Sequence, residues 1–144
     1  MKLKEKGGNK TVLSGIPDSL PSLVKAYRIQ DKVANVGFDW ENKEDVWEKV
    51  KEEIAEFEAE IASSALDNEL NKEAMEAEFG DLLFSLINAA RLYKIRPDSA
   101  LEQTNIKFIK RFNYVEQRAK ELGKSPQEMT LGEMEALWQE AKKA

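Results

Sequence analysis

The apolar residues between positions 46 and 61 recur at helical spacing, and this periodicity limits the folds open to the chain more than any other feature. Val46, Val50, Ile54, Phe57 and Ile61 follow one another at steps of four, four, three and four residues. Such steps place the side chains on one face of an α-helix, whereas a half-buried strand would alternate them every second residue. The pattern predicts a long amphipathic helix of roughly residues 43 to 65.

The rest of the chain also has helical patterns, and the sequence shows no alternating strand pattern. A first helix is predicted from Ser19 to a break at 35–37, another from about Glu69 to Tyr93, and another from about Asp98 to Gly123. A short final helix carries Leu131 to Trp138. The chain is therefore predicted to be all-α, a helical bundle of four to five helices.

The segment from Leu82 to Ala90 is apolar on nearly every side, so we expect its helix to be the central one. With 144 residues, the chain has the length of one domain. Residues 1–17 are basic, contain Gly7-Gly8 and lack sustained periodicity. We interpret them as a flexible tail or linker before a domain that spans residues 18–144.

The composition excludes several classes of function. A formal net charge of −5 provides no general field to attract nucleic acid or an anionic membrane, so we expect neither as a partner. The chain has no Cys and no secretory signal pattern, which favours a cytoplasmic protein. It also has no His, which removes the commonest general base and excludes the Glu-x-x-His pairs of ferritin-like di-iron sites. Any catalysis must rely on carboxylates, metals and basic side chains.

Two pairs of carboxylates stand out on the predicted helices. Glu53 and Glu56 form one pair and Glu78 and Asp81 the other, each with the i, i+3 spacing that places both members on one helix face. Such a pair alone is usually a solvated face. Asp81, however, runs directly into an apolar segment, and an unpaired carboxylate buried there would cost several kcal/mol. The two pairs therefore suggest a site for Mg²⁺, a hard cation that prefers oxygen ligands, with Mn²⁺ as a substitute.

Two basic residues further along the chain suggest a phosphate-binding element. Lys107 and Arg111 are i, i+4 neighbours beside the apolar stripe of their helix, where two cations repel unless an anion lies between them. Taken alone they are more often surface charges. Likewise, Trp138 taken alone is more often a core or interface aromatic. Together with the carboxylates, the basic pair indicates a site for a metal-bound polyphosphate.

Three motifs in order along the chain resemble a known family, the MazG-type all-α nucleoside triphosphate pyrophosphohydrolases. The motifs are Lys49-Val50-Lys51-Glu52-Glu53-Ile54-Ala55-Glu56, Glu78-Phe79-Gly80-Asp81-Leu82-Leu83-Phe84 and Asn105-Ile106-Lys107-Phe108-Ile109-Lys110-Arg111-Phe112. The resemblance extends over nearly the whole chain. It implies hydrolysis of a nucleoside triphosphate to the monophosphate and pyrophosphate.

The resemblance also implies roles for individual residues. The magnesium ligands would be Glu53, Glu56, Glu78 and Asp81. The substrate-binding residues would be Lys49, Asn105, Lys107, Arg111 and Trp138. Glu53 is the candidate to hold or deprotonate the attacking water, with Glu52 as the alternative.

Residues 3–8 resemble the linker that follows the first MazG domain of two-domain members, so the chain resembles the C-terminal domain of such a protein. We expect a homo-oligomer, most simply a dimer, because the central apolar helix has more apolar surface than its short neighbouring helices can cover. Two alternatives stay open. One is a dUTPase-like nucleotide hydrolase on the same scaffold, and the other is a non-enzymatic helical dimerisation module.

Overall fold

The structure, a computed structural model, describes residues 10–67 and 71–144. Those residues form five α-helices and no β-strand, which confirms the all-α class. The helices are α1 (Ser22–Asn35), α2 (Val46–Asp67), α3 (Lys72–Leu92), α4 (Pro97–Glu121) and α5 (Leu131–Lys143). Within the described ranges, every helix is too short or too polar to span a membrane. The proposed linker at 3–8 lies outside the described residues.

The helix ends follow from local backbone chemistry. The helix predicted from Ser19 instead begins at Ser22, because Pro21 disfavours helical geometry at the residue before it. A single 3₁₀ turn at Lys43–Asp45 precedes α2, so the predicted start at 43 was one turn early. Gly123 has a φ of +80°, the left-handed geometry that commonly ends a helix. It follows the end of α4, as predicted.

The chain divides into two compact units, which are described separately. The first unit ends at Asp98 and contains α1, α2 and α3. Here α3 packs against both α1 and α2, so it is the central helix of this unit, as predicted. The buried core between α2 and α3 consists of Val46, Val50 and Ala89, with Leu82, Leu92 and Tyr93 packed against it.

The apolar segment of α3 is only partly covered. Ser85, Ile87 and Ala89 are buried, but Leu83, Phe84 and Leu86 are each more than 40% exposed. Two neighbouring helices cannot cover every side of a third one, so burial on all sides is not reached within this unit. The α2–α3 layer therefore presents an apolar surface, to which Ile54, Ile61 and Phe79 also contribute.

The second unit, Ser99–Ala144, contains nearly all of α4 together with α5. Its core consists of Val115, Ala119 and Leu137, with Met129, Met134 and Trp138 packed against it. A capping box begins α5: the Thr130 hydroxyl accepts from the backbone N–H of Glu133 at 3.1 Å, and the Glu133 carboxylate accepts from the N–H of Thr130 at 2.9 Å. These two bonds satisfy backbone donors that the first turn cannot pair internally.

Replacing Thr130 with Ala should lower the free energy of unfolding by about 1 kcal/mol, because the cap is lost while the helix remains. Urea denaturation followed by circular dichroism measures this change. The matched control is Thr104→Ala, since Thr104 is exposed within α4 and Ala is the better helix former. Equal stability of the two variants would contradict the capping role.

Candidate metal and nucleotide site

Three of the predicted metal ligands meet where α2 packs against α3. Glu53 comes from α2, and Glu78 and Asp81 come from adjacent turns of α3. One carboxylate oxygen from each residue lies within 4.8 Å of the others. The three oxygens are close enough together to bind a single cation.

Glu53 occupies the most buried position of the group, with a side chain only 7% exposed. Its Oε2 forms an ion pair with Lys49 Nζ at 2.8 Å. Its Oε1, in contrast, is buried without a hydrogen-bond partner among the described residues. The ammonium group also lies 3.3 Å from Glu52 Oε1. Hydrogen bonds first to Glu53 and then to Glu52 raise the pKa of Lys49 above its usual value, so it stays charged. Lys49 therefore compensates one side of Glu53 and leaves the other available.

Glu78 is surrounded by negative charge. Burial raises the pKa of its carboxyl group, and the carboxylates of Glu56, Asp81 and Glu53 raise it further. Its Oε1 is inaccessible to solvent and has no hydrogen-bond partner in the part of the chain that the structure describes. Glu56 itself is exposed, but it lies close enough to affect Glu78.

These observations fit a hard divalent cation. Every candidate ligand atom is a carboxylate oxygen. Two buried oxygens, Oε1 of Glu53 and Oε1 of Glu78, lack a hydrogen-bond partner among the described residues. A bound cation would supply the positive charge that Lys49 provides on one side only. The fourth predicted ligand, Glu56, lies beside the group of three rather than within it.

A cavity of about 720 Å³ adjoins the carboxylates within the first unit, and its wall includes Lys49, Glu53 and Asp81. Its other lining residues are mostly apolar or aromatic, with two amides, one hydroxyl group and two charged side chains. They are Ile29, Gln30, Val33, Gly37, Phe38, Asp39, Trp40, Val46, Phe84, Ser85, Asn88 and Arg91. An apolar cavity with a few polar groups is the usual form of a small-molecule site.

Sequence reasoning missed the polar lining of this cavity. Gln30 is 3% exposed, and its Nε2 donates to the carbonyl oxygen of Phe84 at 3.0 Å. A signal was present, because Gln30 interrupts the stripe of Leu23, Tyr27 and Val33 on α1. Arg91 gave no comparable local signal. Its side chain is 9% exposed and pairs with the distant Asp39, and helical periodicity does not identify such pairs.

The predicted substrate-binding residues other than Lys49 lie on the second unit. Lys107 is exposed and Arg111 is half-buried, and neither forms an ion pair within residues 10–67 and 71–144. Asn105 donates to Glu102 Oε1 at 3.3 Å. Trp138 packs against Phe108 with ring centroids 4.9 Å apart and against the core of this unit, so part of its role is structural.

The structure thus brings together Lys49, Glu53, Glu78 and Asp81, with Glu56 adjoining. Glu52 contacts Lys49 but leaves 58% of its side chain in solvent. The assignment of every one of these residues to a catalytic or binding role stays a prediction.

Comparison with known proteins identifies the family. Residues 41–116, more than half of the chain, match the MazG nucleotide pyrophosphohydrolase domain. This range contains all three motifs singled out above. The chain belongs to the MazG family, and the resemblance inferred from the motifs is confirmed.

Similar proteins support the same assignment. The chain is 36% identical over 143 residues to the nucleoside triphosphate pyrophosphohydrolase/pyrophosphatase MazG of Thermotoga maritima, covering 99% of this chain and 52% of that protein. It is 39% identical over 133 residues to the nucleoside triphosphate pyrophosphohydrolase of Escherichia coli, covering 92% and 49% respectively. A match to the uncharacterized protein YabN of Bacillus subtilis, 54% identical over 68 residues, covers 47% of this chain and 14% of that protein. The chain spans about half the length of the first two relatives.

Replacing Glu78 with Gln should raise the thermal unfolding midpoint of the metal-free protein at neutral pH. The change removes one charge from a cluster of like charges and keeps the volume of the side chain. Circular dichroism during heating in EDTA measures the midpoint. Glu76→Gln is the matched control, because Glu76 is exposed on the same helix, and its midpoint should stay within about 1 °C of the wild type. A Glu78→Gln midpoint at or below the wild-type value would contradict mutual repulsion of the carboxylates.

Proposed function

We propose that this chain hydrolyses nucleoside triphosphates to nucleoside monophosphate and pyrophosphate, with Mg²⁺ bound by Glu53, Glu56, Glu78 and Asp81. The observation that carries the proposal is the group of three carboxylates within 4.8 Å of one another on the wall of a cavity. Membership of the MazG family supports it, as do two relatives named as nucleoside triphosphate pyrophosphohydrolases. Because the chain covers only about half of those relatives, their activity is assigned to it as a proposal.

Glu53, Glu78 and Asp81 would hold the cation, with Glu56 as the fourth ligand. A bound divalent cation would supply positive charge for the triphosphate and would lower the pKa of a bound water molecule, so that a carboxylate would suffice to deprotonate it in a chain that has no His. Mn²⁺ would substitute, because it also accepts carboxylate and water ligands.

Glu53 is the proposed residue that holds or deprotonates the attacking water. Lys49 fixes the position of Oε2 through the 2.8 Å ion pair, and Oε1 is left without a partner among the described residues. A carboxylate oxygen held in this way is able to accept a proton. Glu52 is the alternative, and its greater exposure makes it the less restrained of the two.

The basic residues would bind the triphosphate. Lys107 and Arg111 are proposed to stabilise the charge that develops on the leaving pyrophosphate, with Lys49 and Asn105 as further contacts. Trp138 is proposed to lie near the nucleotide. The apolar and amide-lined part of the cavity suits the base and sugar, whose faces are apolar and whose edges form hydrogen bonds.

The proposal is tested by incubating the purified chain with a panel of ribo- and deoxyribonucleoside triphosphates, with and without Mg²⁺. Chromatography should show monophosphate and pyrophosphate only when Mg²⁺ is present. Formation of diphosphate and orthophosphate would contradict the proposed bond cleavage. Strong preference for dUTP would favour the dUTPase-like alternative, and no turnover of any nucleotide would favour the dimerisation module.

Replacing Glu53 with Gln or Asp81 with Asn should reduce turnover to background while the helical content is retained. Each change removes a charge from the metal site and preserves the size of the side chain. Pyrophosphate release measures activity, and circular dichroism measures folding. Glu48→Gln is the matched control, because Glu48 lies on α2 with a side chain 80% exposed. Near wild-type hydrolysis by either site variant would exclude the proposed ligand set.

Replacing Lys107 or Arg111 with Ala should lower kcat/KM by at least tenfold, or about 1.4 kcal/mol of transition-state stabilisation. Steady-state kinetics with the preferred nucleotide measure this effect. Lys110→Ala, which removes an exposed charge from the same helix, should change kcat/KM by less than about twofold. If all three variants behave alike, the two residues are surface charges and only the metal site is retained.

The chain is proposed to form a homo-oligomer, most simply a dimer, through the exposed apolar surface of α2 and α3. Burying apolar area of this kind is favourable at about 25 cal/mol per Å². Light scattering at micromolar concentration should give at least twice the mass of one chain, and Leu86→Glu should shift the mass toward the monomer. Glu76→Asp, on a polar face of α3, should leave the mass unchanged. A monomeric wild-type protein would contradict the proposal.

A further inference from the structure

The loop at residues 36–42 forms one wall of the cavity but has little packing of its own. Gly37, Phe38, Asp39 and Trp40 all line the cavity. Phe38 is nevertheless 78% exposed and Trp40 is 38% exposed, so neither ring is held by a surrounding core. Gly37 has a φ of +98°, a backbone geometry that turns the chain sharply after α1. Another interaction must define the position of this wall.

That interaction is an ion pair between the loop and α3. Arg91 Nη2 donates to Asp39 Oδ1 at 2.6 Å, and Nη1 donates to Oδ2 at 3.3 Å, so the two groups are paired at both ends. Asp39 Oδ1 also accepts from the backbone N–H of Trp40 at 2.8 Å. The Asp39 carboxylate therefore connects Arg91 directly to the backbone that carries Trp40.

Arg91 is itself held in place. Its side chain is only 9% exposed, and its Nε donates to Asn88 Oδ1 at 3.0 Å, one turn earlier on α3. Asp31 lies 3.9 Å from Nη1 and adds a second negative charge. With two carboxylates around it, the guanidinium has its charge already compensated, which makes it a poor phosphate ligand. The Asp39 carboxyl has its pKa lowered chiefly by the hydrogen bond from Arg91 and stays ionised at neutral pH.

We propose that Arg91 and Asp39 are positioning residues that hold Phe38 and Trp40 against the cavity so that it binds the nucleoside part of the substrate. The inference rests on the proposed function. It assigns binding of the base and sugar to the loop, and leaves the triphosphate to the carboxylates and the basic residues. Loss of the pair should then weaken binding of a nucleotide without weakening binding of a triphosphate that has no nucleoside.

Two conservative variants test the pair. Arg91→Lys keeps the charge but loses the planar fork that contacts Asp39 and Asn88 together. Asp39→Asn keeps the shape but loses the charge. Each should raise KM for the preferred nucleotide about tenfold and leave kcat within about threefold of the wild type, since the chemistry of the carboxylates is not touched. The double variant should be no worse than the more affected single variant, because both changes break one interaction.

Inorganic tripolyphosphate separates the two parts of the site. Its inhibition constant against nucleotide hydrolysis should change by less than about twofold in both variants, because it lacks a base and sugar. The matched control is Arg118→Lys. Arg118 also contacts two carboxylates, Glu121 and Glu140, but it is not among the residues that line the cavity. This variant should leave KM, kcat and the inhibition constant unchanged.

The fluorescence of Trp40 reports the solvent exposure of the loop in the absence of substrate. In a background with Trp47→Phe and Trp138→Phe, Trp40 is the remaining tryptophan of the chain's three. Acrylamide should quench its emission about twice as strongly once Arg91→Lys releases the loop, whereas Arg118→Lys should have no effect.

The outcomes distinguish failure of this inference from failure of the proposed function. An unchanged nucleotide KM in Arg91→Lys and Asp39→Asn, or an equal rise in KM and in the tripolyphosphate constant, would overturn the positioning role. Loss of kcat with an unchanged KM would overturn it as well. If the wild-type protein hydrolyses no nucleotide, the proposed function fails, and unchanged quenching of Trp40 would then show that the pair does not position the loop.

Discussion

Repulsion between carboxylates at the junction of α2 and α3 is the constraint around which the first unit is built. Glu53, Glu78 and Asp81 bring their oxygens within 4.8 Å of one another beside an apolar core, and Lys49 pairs with only one of them. Such an arrangement disfavours the folded state by itself. The packing of Val46, Val50 and Ala89 must therefore hold α2 and α3 together against the electrostatic force that separates them.

The residues of α3 differ in how far the unit buries them. The buried residues of α3 include Ser85 and Ala89, whose small side chains allow close approach of the helices. Larger side chains, such as Leu83 and Leu86, stay more than 40% exposed. Stability in this unit comes from a small core, and the apolar area left outside that core is available for contact with a second chain.

Sequence reasoning recovered the features that depend on neighbours three or four residues away. The stripe of α2 and the approach of Glu53, Glu78 and Asp81 follow from helical spacing, and the helix ends near Gly37 and Gly123 follow from the positive φ that glycine adopts readily. It missed the ion pair between Arg91 and Asp39, which lie 52 residues apart, because nothing in the local pattern of either residue identifies the other. The incomplete burial of α3 was expected from the sequence, since its apolar residues outnumber those that two neighbouring helices can cover, but the sequence did not show which of them stay exposed. The assignments of Lys107, Arg111 and Trp138 depend on family resemblance, because their own helices explain them as ordinary surface or core residues.

The loop that carries Phe38 and Trp40 differs in kind from the helices that carry the carboxylates. Phe38 is 78% exposed, and neither Phe38 nor Trp40 belongs to the core of the unit, so their replacement removes little core packing. The carboxylates, in contrast, are set by the approach of two helices and tolerate little displacement. If the loop binds the nucleoside as proposed, substitution in this one short segment would change what the protein recognises and leave the carboxylates unchanged. Diversification of substrate range would then require few mutations and little compensation elsewhere in the chain.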